Sequence, residues 1–235
     1  MATSTSYETL FKSAREAAPK SLPEDAWYII VAATLITADG GAHVADLYQF
    51  LIKELGSNSS QEDRRRVSRR LRAIIMKAWT LVGMPRASDA LFALKKVEAP
   101  GDKALDWDRA EYAANPERAL KRRNEWWAKV FNEETARIEK SYEEDKDFLA
   151  WTVDFVVYGL FLADVSVLDG VENELVTLSL VMGQGAYYTT MVHLRGTRRI
   201  GVNAADAEAI QGVIEMVAQH QGKDTSSWPR FKEVE

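Results

Sequence analysis

The residues best suited to chemistry in this chain are Glu174 and His193, which lie nineteen positions apart in its C-terminal half. Two glycines, Gly183 and Gly185, stand near the midpoint between them, and the stretches on either side are apolar, so we expect a hairpin of two helices. At about 1.5 Å of rise per residue, the two arms have matching lengths and would return the imidazole to the level of the carboxylate. Such a pair is typical of a general acid/base, although a histidine that only packs or faces solvent gives the same pattern.

Three side chains near His193 in the sequence could complete a site. Tyr187 and Thr189 precede the histidine by one to two helical turns, where the tyrosine could stabilise an oxyanion and the small threonine leaves room for a substrate. Arg195 could bind a substrate carboxylate in a bidentate manner, or it could form a salt bridge on the surface of its helix. We therefore predict that these three residues bind substrate beside the catalytic residues His193 and Glu174.

A second group of candidates lies on the apolar segment 148–165. Asp154 and Tyr158 are four residues apart there, so they would share one face of a helix. A carboxylate in such an apolar segment is costly unless it is paired or lines a pocket. We expect both residues to contribute to substrate binding, with the tyrosine as another donor to an oxyanion.

Residues 172–217 resemble the carboxymuconolactone decarboxylase and alkylhydroperoxidase D-like family. The resemblance rests on Glu174, the apolar positions that follow it, His193, the Gly201-Val202 turn and the closing helix AEAIQGVIEMVA, and a weaker match covers Leu71 to Lys96. It implies an all-α, alkylhydroperoxidase D-like helical bundle and a homo-oligomer assembled through helix faces. It also implies a histidine that moves protons in the decarboxylation or isomerisation of a small lactone or keto acid. No cofactor is needed if that substrate supplies its own carbonyl group.

The chain departs from the peroxidase branch of that family at one motif. That branch carries Cys-x-x-Cys seven and four residues before its histidine, whereas this chain has Ala186 and Thr189 there and no cysteine at any position. A thiolate is the nucleophile of that chemistry, and neither a methyl nor a hydroxyl group can replace its redox cycle. Thiol peroxidase activity is therefore excluded. A cysteine-free decarboxylase or isomerase is the main prediction, and a non-catalytic, oligomer-forming helical protein is the alternative.

Composition indicates an ordinary globular protein whose partners are small molecules or other proteins. Of its 235 residues, 46% are hydrophobic and 28% charged, and the formal net charge of −5 disfavours nucleic acid and anionic membranes as partners. No apolar segment is long enough to span a membrane. Acidic residues near the N-terminus argue against a targeting peptide, so we expect a cytoplasmic protein. The three histidines are too widely spaced to predict a metal site.

Nearly every periodic segment has the helical period, so we predict an all-α protein. Start signals with a capping oxygen or a proline occur at Ser21–Glu24, Asn115–Glu117, Asp169–Glu172 and Asn203–Asp206. The expected helices cover residues 5–18, 24–38, 43–55, 60–82, 86–96, 116–143, 146–163, 172–183, 186–200 and 204–220.

The chain is expected to consist of two related helical halves. Residues 1–96 form a degenerate N-terminal half, 97–146 a charged connecting helix, 147–222 the half that resembles the decarboxylase family, and 223–235 a tail. Glu24 and His43 are also nineteen positions apart, but a straight helix would separate them by roughly 20 Å. We therefore expect the first half to contribute walls and an interface rather than catalytic residues.

Two further patterns in the sequence each have two interpretations. The charged connecting segment carries an aromatic stripe of Trp126, Trp127, Phe131 and Tyr142, which could pack within the chain or against a second subunit. The arginine-rich stretch 64–72 could suggest RNA binding. Its apolar residues form a helical stripe of their own, however, so we expect the arginines to pair with acidic neighbours instead.

Overall fold

The computed structural model describes the backbone of residues 4–104 and 109–234, and the side chains from residue 7 to 104 and from 110 to 234. Within these ranges every regular element is a helix, as predicted, and no strand occurs. None of these helices combines the length and the apolar character that crossing a bilayer requires. The helices are α1 (Ser4–Ala17), α2 (Ala26–Thr37), α3 (Val44–Leu55), α4 (Gln61–Val82), α5 (Met84–Val97), α6 (Arg109–Ala114), α7 (Pro116–Val130), α8 (Thr135–Ser141), a π-helix (Phe148–Leu162), α9 (Gly170–Met182), α10 (Tyr187–Arg199) and α11 (Ala204–His220). Short 3₁₀ turns lie at Gly41–His43, Pro100–Asp102, Asn132–Glu134 and Phe231–Glu233.

Polar side chains determine where several helices begin. The start signals predicted at 115–117, 169–172 and 203–206 are confirmed, because the first residue of each accepts a hydrogen bond from the backbone N–H three residues later. The signal predicted at Ser21–Glu24 is wrong, and α2 begins at Ala26. The Ser21 hydroxyl donates to Asp206 of α11 instead of capping its own helix.

Helices α2 and α9 form the centre of the bundle and pack against each other. Every residue of α2 is buried, which explains why this helix is apolar on all sides rather than along one stripe. The two helices approach closely, since a Cβ on Gly183 would overlap the methyl group of Thr37. The Thr37 hydroxyl also donates to Leu180 O at 2.9 Å, which links α2 to α9.

Helix α1 packs on α2, α3 and α11, and the π-helix packs on α7, α4 and α6. In the first half α1, α2 and α3 follow one another, and in the second half the π-helix, α9 and α10 do so. Helix α1 packs on α11 of the second half, whereas the π-helix packs on α4 of the first half. Positions in the two sets of helices can be matched by counting from the start of each helix, which compares them by chain order and not by packing.

The charged segment 116–143 does not form the one long helix that its composition predicts. Helix α7 ends at Val130, Asn132 adopts a left-handed conformation with φ of 46°, and the chain continues as the short α8. The helix breaks because Phe131 and Glu134 turn inward, the ring toward other aromatic residues and the carboxylate toward arginines of α10. Residues 105–108 of the predicted connecting helix lie outside the described residues.

The aromatic stripe of this segment packs within the chain. Trp126, Trp127 and Phe131 are buried in one cluster with Tyr158 of the π-helix. The ring of Trp127 meets the rings of Phe131 and Tyr158 edge to face, with centroids 4.9 and 5.3 Å away. These three aromatic residues therefore hold α7 against the second half.

Residues 148–162 form a π-helix, which is wider than the α-helix that their pattern indicates. Its last carbonyl groups, and that of Asp164 two residues beyond its end, accept hydrogen bonds from side chains of three other helices. Arg122 donates to Gly159 O and Leu160 O, Lys77 to Phe161 O and Asp164 O, and Asn173 to Leu162 O. These donors satisfy carbonyl groups that a helix end leaves without partners, and the two cations oppose the negative end of the helix dipole.

The arginine-rich stretch 64–72 forms ion pairs with other elements, as its periodicity predicts. The pairs are Arg64 with Asp102, Arg66 with Asp25, Arg70 with Glu172 and Arg72 with Glu98. Arg70 is buried and also donates through Nε to the Tyr28 hydroxyl at 2.7 Å. These arginines therefore join α4 to its neighbours.

Candidate functional site, a buried glutamate and histidine

Glu174 and His193 meet in the core, as their spacing predicts. Helix α9 carries the glutamate near its start, α10 packs beside α9 and carries the histidine, and Nδ1 of the imidazole lies 2.7 Å from Oε1 of the carboxylate. Because a carboxylate only accepts hydrogen bonds, the imidazole donates through Nδ1–H. Both side chains are sealed from solvent, since Glu174 is 0% exposed and His193 is 2% exposed.

A glycine makes room for this hydrogen bond. A Cβ on Gly196 of α10 would lie 2.8 Å from Oε1 of Glu174 and 2.6 Å from Cγ1 of Val130 on α7. The absence of a side chain therefore allows α7, α9 and α10 to come together around the carboxylate. Thr197, the next residue, donates its hydroxyl hydrogen to His193 O at 2.8 Å and so satisfies a polar group of the same helix.

Aromatic rings form another wall of the site. The ring of Phe131 lies between the other two, with its centroid 5.5 Å from that of His193 and 5.8 Å from that of Tyr158. Burial, and after it the negative charge of Glu174, raise the pKa of Tyr158, so its phenol stays protonated.

Among the described side chains here, the buried atoms Glu174 Oε2, Thr190 Oγ1 and Trp127 Nε1 have no hydrogen-bond partner.

The main cavities formed by the described residues do not reach the pair. A solvent-open cavity of about 710 Å³ is lined by Trp126, Lys129 and Arg199 among others, but not by His193 or Glu174. Four smaller cavities elsewhere on the described surface are not lined by the pair either. Small-molecule sites are concave and present their reacting groups to the ligand. The observed pair can hold a proton between two helices, but these cavities give a substrate no access to it.

Arg195, which we predict to bind a substrate carboxylate, binds a carboxylate of the protein itself. Its guanidinium donates to both oxygens of Glu134 at 2.7 and 2.9 Å, and Arg199 donates to the same carboxylate at 2.8 Å. Burial would raise the pKa of Glu134, but the hydrogen bonds from the two arginines outweigh it and hold that pKa at about 2. Glu134 carries no local sign of this role in the sequence, because the surrounding composition is that of a solvated helix. The nearby Asn132, a residue type that tolerates the left-handed conformation, is the signal that could have revealed the turn.

The other predicted substrate-binding residues lie in three different surroundings. Tyr187 and Thr189 are exposed in the first turn of α10, whereas His193 is buried. Asp154 is half-buried and pairs with Arg123 at 2.7 Å, and burial raises its pKa while Arg123 opposes that change. Tyr158 belongs to the aromatic wall. The structure therefore brings Tyr158 to the pair and does not bring Tyr187, Thr189 or Asp154 there.

The first half has apolar residues where the second half has the pair. Counted from the residue before each helix, Glu174 of α9 corresponds to Ile30 of α2, and His193 of α10 corresponds to Phe50 of α3. Both Ile30 and Phe50 are buried. The positions that match by this count therefore carry ionisable residues in one half and apolar residues in the other.

Glu24 and His43, which share the spacing of the pair, make separate contacts. Glu24 lies 3.9 Å from a guanidinium nitrogen of Arg15. His43 Nδ1 lies 2.7 Å from Asp46, and its ring stacks on Tyr7 with centroids 3.8 Å apart. The repeated spacing in the sequence thus does not produce a second glutamate–histidine contact.

Comparisons with known proteins bear on function. No family model and no solved structure matches the chain. Among curated proteins, the chain is similar to Peroxisomal protein 2 of Saccharomyces cerevisiae (strain ATCC 204508 / S288c), with 23% identity over 181 residues. The match covers 68% of this chain and 64% of the yeast protein, so the chain spans less than two thirds of that relative's length.

This similarity contradicts the prediction that the chain is a decarboxylase or isomerase of a lactone or keto acid. The relative is named as a peroxisomal protein, and its name carries no such activity. The burial of His193 and Glu174 away from the described cavities agrees with the correction, because a general acid/base must contact its substrate. The alternative, a non-catalytic helical protein, is the better interpretation.

Proposed function

We propose that this chain is a non-catalytic, oligomer-forming helical protein of the peroxisome. The observation that carries the proposal is its similarity to Peroxisomal protein 2. In this proposal the chain keeps the helical arrangement of the alkylhydroperoxidase D-like proteins that its sequence resembles, without their peroxidatic cysteines. The peroxisome takes the place of the cytoplasm that the sequence alone suggests.

The surroundings of His193 support a structural role for its contact with Glu174. Both residues are sealed from solvent, and the nearby Arg195 is occupied by Glu134. A buried hydrogen-bonded pair of ionisable side chains is often worth little more than an apolar pair of the same volume, but the loss of one member leaves the other buried without its partner. We therefore propose that the contact between Glu174 and His193 fixes how α9 packs against α10.

Localisation in cells tests the peroxisomal part of the proposal. The chain is fused to a fluorescent protein at its N-terminus and, separately, at its C-terminus, because either end could carry targeting information. Both fusions are expressed in yeast with a peroxisomal matrix marker, and the fluorescent protein alone is the control. We expect at least one fusion to coincide with the marker. Diffuse cytoplasmic fluorescence of both fusions would contradict the proposal.

Ligand screening tests the non-catalytic part of the proposal. The melting temperature of the purified protein is measured with a panel of small lactones and keto acids at millimolar concentration. A ligand at one hundred times its Kd stabilises the folded state by about 2.7 kcal/mol, which is readily detected. We expect no shift. A shift in the wild type that is absent in a folded variant lacking both Glu174 and His193 would reinstate a chemical site.

A further inference from the structure

Three buried polar atoms beside the pair call for a hydrogen-bond partner that the described residues do not supply. They are Oε2 of Glu174, Oγ1 of Thr190 and Nε1 of Trp127. Glu174 and Thr190 are both 0% exposed and Trp127 is 2% exposed, so bulk solvent does not reach them. The large majority of buried polar atoms in proteins have a partner, because an unmatched one loses its hydration without compensation. The three atoms therefore indicate an enclosed ligand.

These atoms come from the three helices that surround the pair. Glu174 lies on α9, which packs against α10. Thr190 lies on α10 one turn before His193, so the two side chains share a face of that helix. Trp127 lies on α7, which also packs against α10. Its ring contacts that of Phe131, whose centroid is 5.5 Å from that of His193. The three atoms are therefore gathered at one junction.

The chemistry of these atoms selects the kind of ligand. The carboxylate oxygen of Glu174 only accepts hydrogen bonds, the indole of Trp127 only donates, and the hydroxyl of Thr190 does both. A second anion would be repelled by the carboxylate. A metal ion is disfavoured by the N–H donors, and the described residues contain no group of three or more His, Cys, Asp or Glu suited to one. Because the main cavities formed by the described residues do not reach the pair, the ligand must be as small as water.

We infer that at least one internal water molecule is bound at this junction, where it donates to Oε2 of Glu174 and hydrogen-bonds Thr190 and Trp127. A buried water molecule typically makes about three hydrogen bonds to polar groups that have no other partner. Both oxygens of the carboxylate are then hydrogen-bonded, Oε1 by the imidazole of His193 and Oε2 by water. The water therefore stabilises a charge that burial would otherwise disfavour. This inference depends neither on the peroxisomal location nor on oligomer formation.

The first half has no polar side chain at the matching positions. Counted from the residue before each helix, Thr190 of α10 matches Leu47 of α3, which is 0% exposed. Ile30 and Phe50, which match the two members of the pair, are also buried. None of these three side chains can form a hydrogen bond. We therefore expect internal water at these positions in the second half and not in the first.

Magnetic relaxation dispersion of water oxygen-17 tests the inference, because it counts internal water molecules that stay bound for longer than the protein tumbles. Thr190→Val removes the hydroxyl and nearly keeps the shape of the side chain. The matched control is Thr34→Val, since Thr34 is also 0% exposed but its hydroxyl already donates to Ile30 O at 2.8 Å. Thr190→Ser keeps the hydroxyl and serves as the rescue variant. Far-UV circular dichroism checks that the three variants fold.

We expect Thr190→Val to lose at least one long-lived water molecule, whereas Thr34→Val and Thr190→Ser keep the number found in wild type. A high-resolution crystal structure of wild type should show that molecule at about 2.5–3.0 Å from Oε2 of Glu174. An unchanged number in Thr190→Val, or an equal loss in Thr34→Val, would overturn the inference. If Thr190→Val does not fold, the crystal structure decides. Electron density with the many oxygen ligands of a metal ion, or no density within hydrogen-bond distance of Oε2, would also overturn it.

Discussion

In the first half of the molecule, Ile30 and Phe50 are buried at the positions where the second half buries Glu174 and His193. The first three helices of the two halves follow one another in the same chain order, but α10 packs closely on α9 whereas α3 packs mainly on α5 and α4. Buried apolar residues therefore serve at the matching positions of α2 and α3. The ionisable pair of the second half is an addition to the packing, and its two members depend on each other because each is buried.

The largest effect is expected when one member of the pair is replaced by its counterpart from the first half. Glu174→Ile alone, or His193→Phe alone, leaves the other polar side chain buried without its partner. We expect each variant to lose about 3–5 kcal/mol of unfolding free energy, measured by urea denaturation. Ile30→Val is the control in the first half and should cost about 0.5–1.5 kcal/mol. If both single variants lose less than about 1 kcal/mol of unfolding free energy, Glu174 and His193 are not buried away from solvent.

Gly196 provides the next comparison between the halves. A methyl group at this position meets Val130 and the Glu174 carboxylate, so Gly196→Ala should cost about 1–3 kcal/mol through overpacking. Counted from the start of α3, the equivalent residue is Lys53, which is exposed. Lys53→Ala should change stability by less than about 0.5 kcal/mol. Equal effects of the two substitutions in urea denaturation would contradict the close packing of α7 on the pair.

The ion cluster of Glu134 gives the second half a dependence on acid pH. The folded pKa of about 2 is below the ordinary value of 4.5, so the stabilisation is complete above about pH 4.5 and is lost as the pH falls toward 2. At pH 7, Glu134→Gln should lose on the order of 1–2 kcal/mol, because the arginines that bind it are partly exposed. The difference from wild type in urea denaturation should shrink as the pH approaches 2.

The adjacent Glu133 is the matched control for this titration. Its side chain is 79% exposed and lies 3.6 Å from Arg199. Glu133→Gln should therefore leave both the unfolding free energy at pH 7 and its acid dependence close to those of wild type. If the two glutamine variants behave alike, the low pKa of Glu134 does not stabilise the fold.

The smallest effect is expected when both members of the pair are replaced together. Glu174→Ile with His193→Phe gives the second half the residues of the first half and leaves no buried charge. We expect an unfolding free energy within about 1 kcal/mol of wild type, or above it, and unchanged assembly. A double variant that loses the sum of the two single losses would show that the residues act independently.

The sequence predicts most of the helices because their periodicity and their caps agree. Asp169 with Glu172 and Asn203 with Asp206 begin α9 and α11 as expected, and the nineteen-residue spacing brings Glu174 to His193. These features depend on neighbours along one or two helices. They are therefore readable without knowledge of the rest of the fold.

Other features depend on contacts between distant segments and could not be read from local patterns. The long helix predicted over 116–143 breaks because Glu134 reaches α10, some sixty residues away in the sequence. The π-helix forms where Arg122, Lys77 and Asn173 bind its carbonyl groups. The burial of His193 likewise depends on α7, which packs against α10. No short sequence motif predicts that packing, so the solvent exposure of His193 could not be predicted either.

The most direct test compares the reactivity of two histidines in one sample. The native protein is treated with diethyl pyrocarbonate, and modification of His43 and His193 is followed by peptide mass spectrometry. His43 is partly exposed and serves as the internal reference, whereas His193 is 2% exposed. We expect His193 to react at least about 100-fold more slowly than His43, as an opening free energy of about 3 kcal/mol would impose, and to react fully in urea. Comparable rates in the native protein, or protection of His193 by a lactone or keto acid, would contradict a sealed and non-catalytic pair.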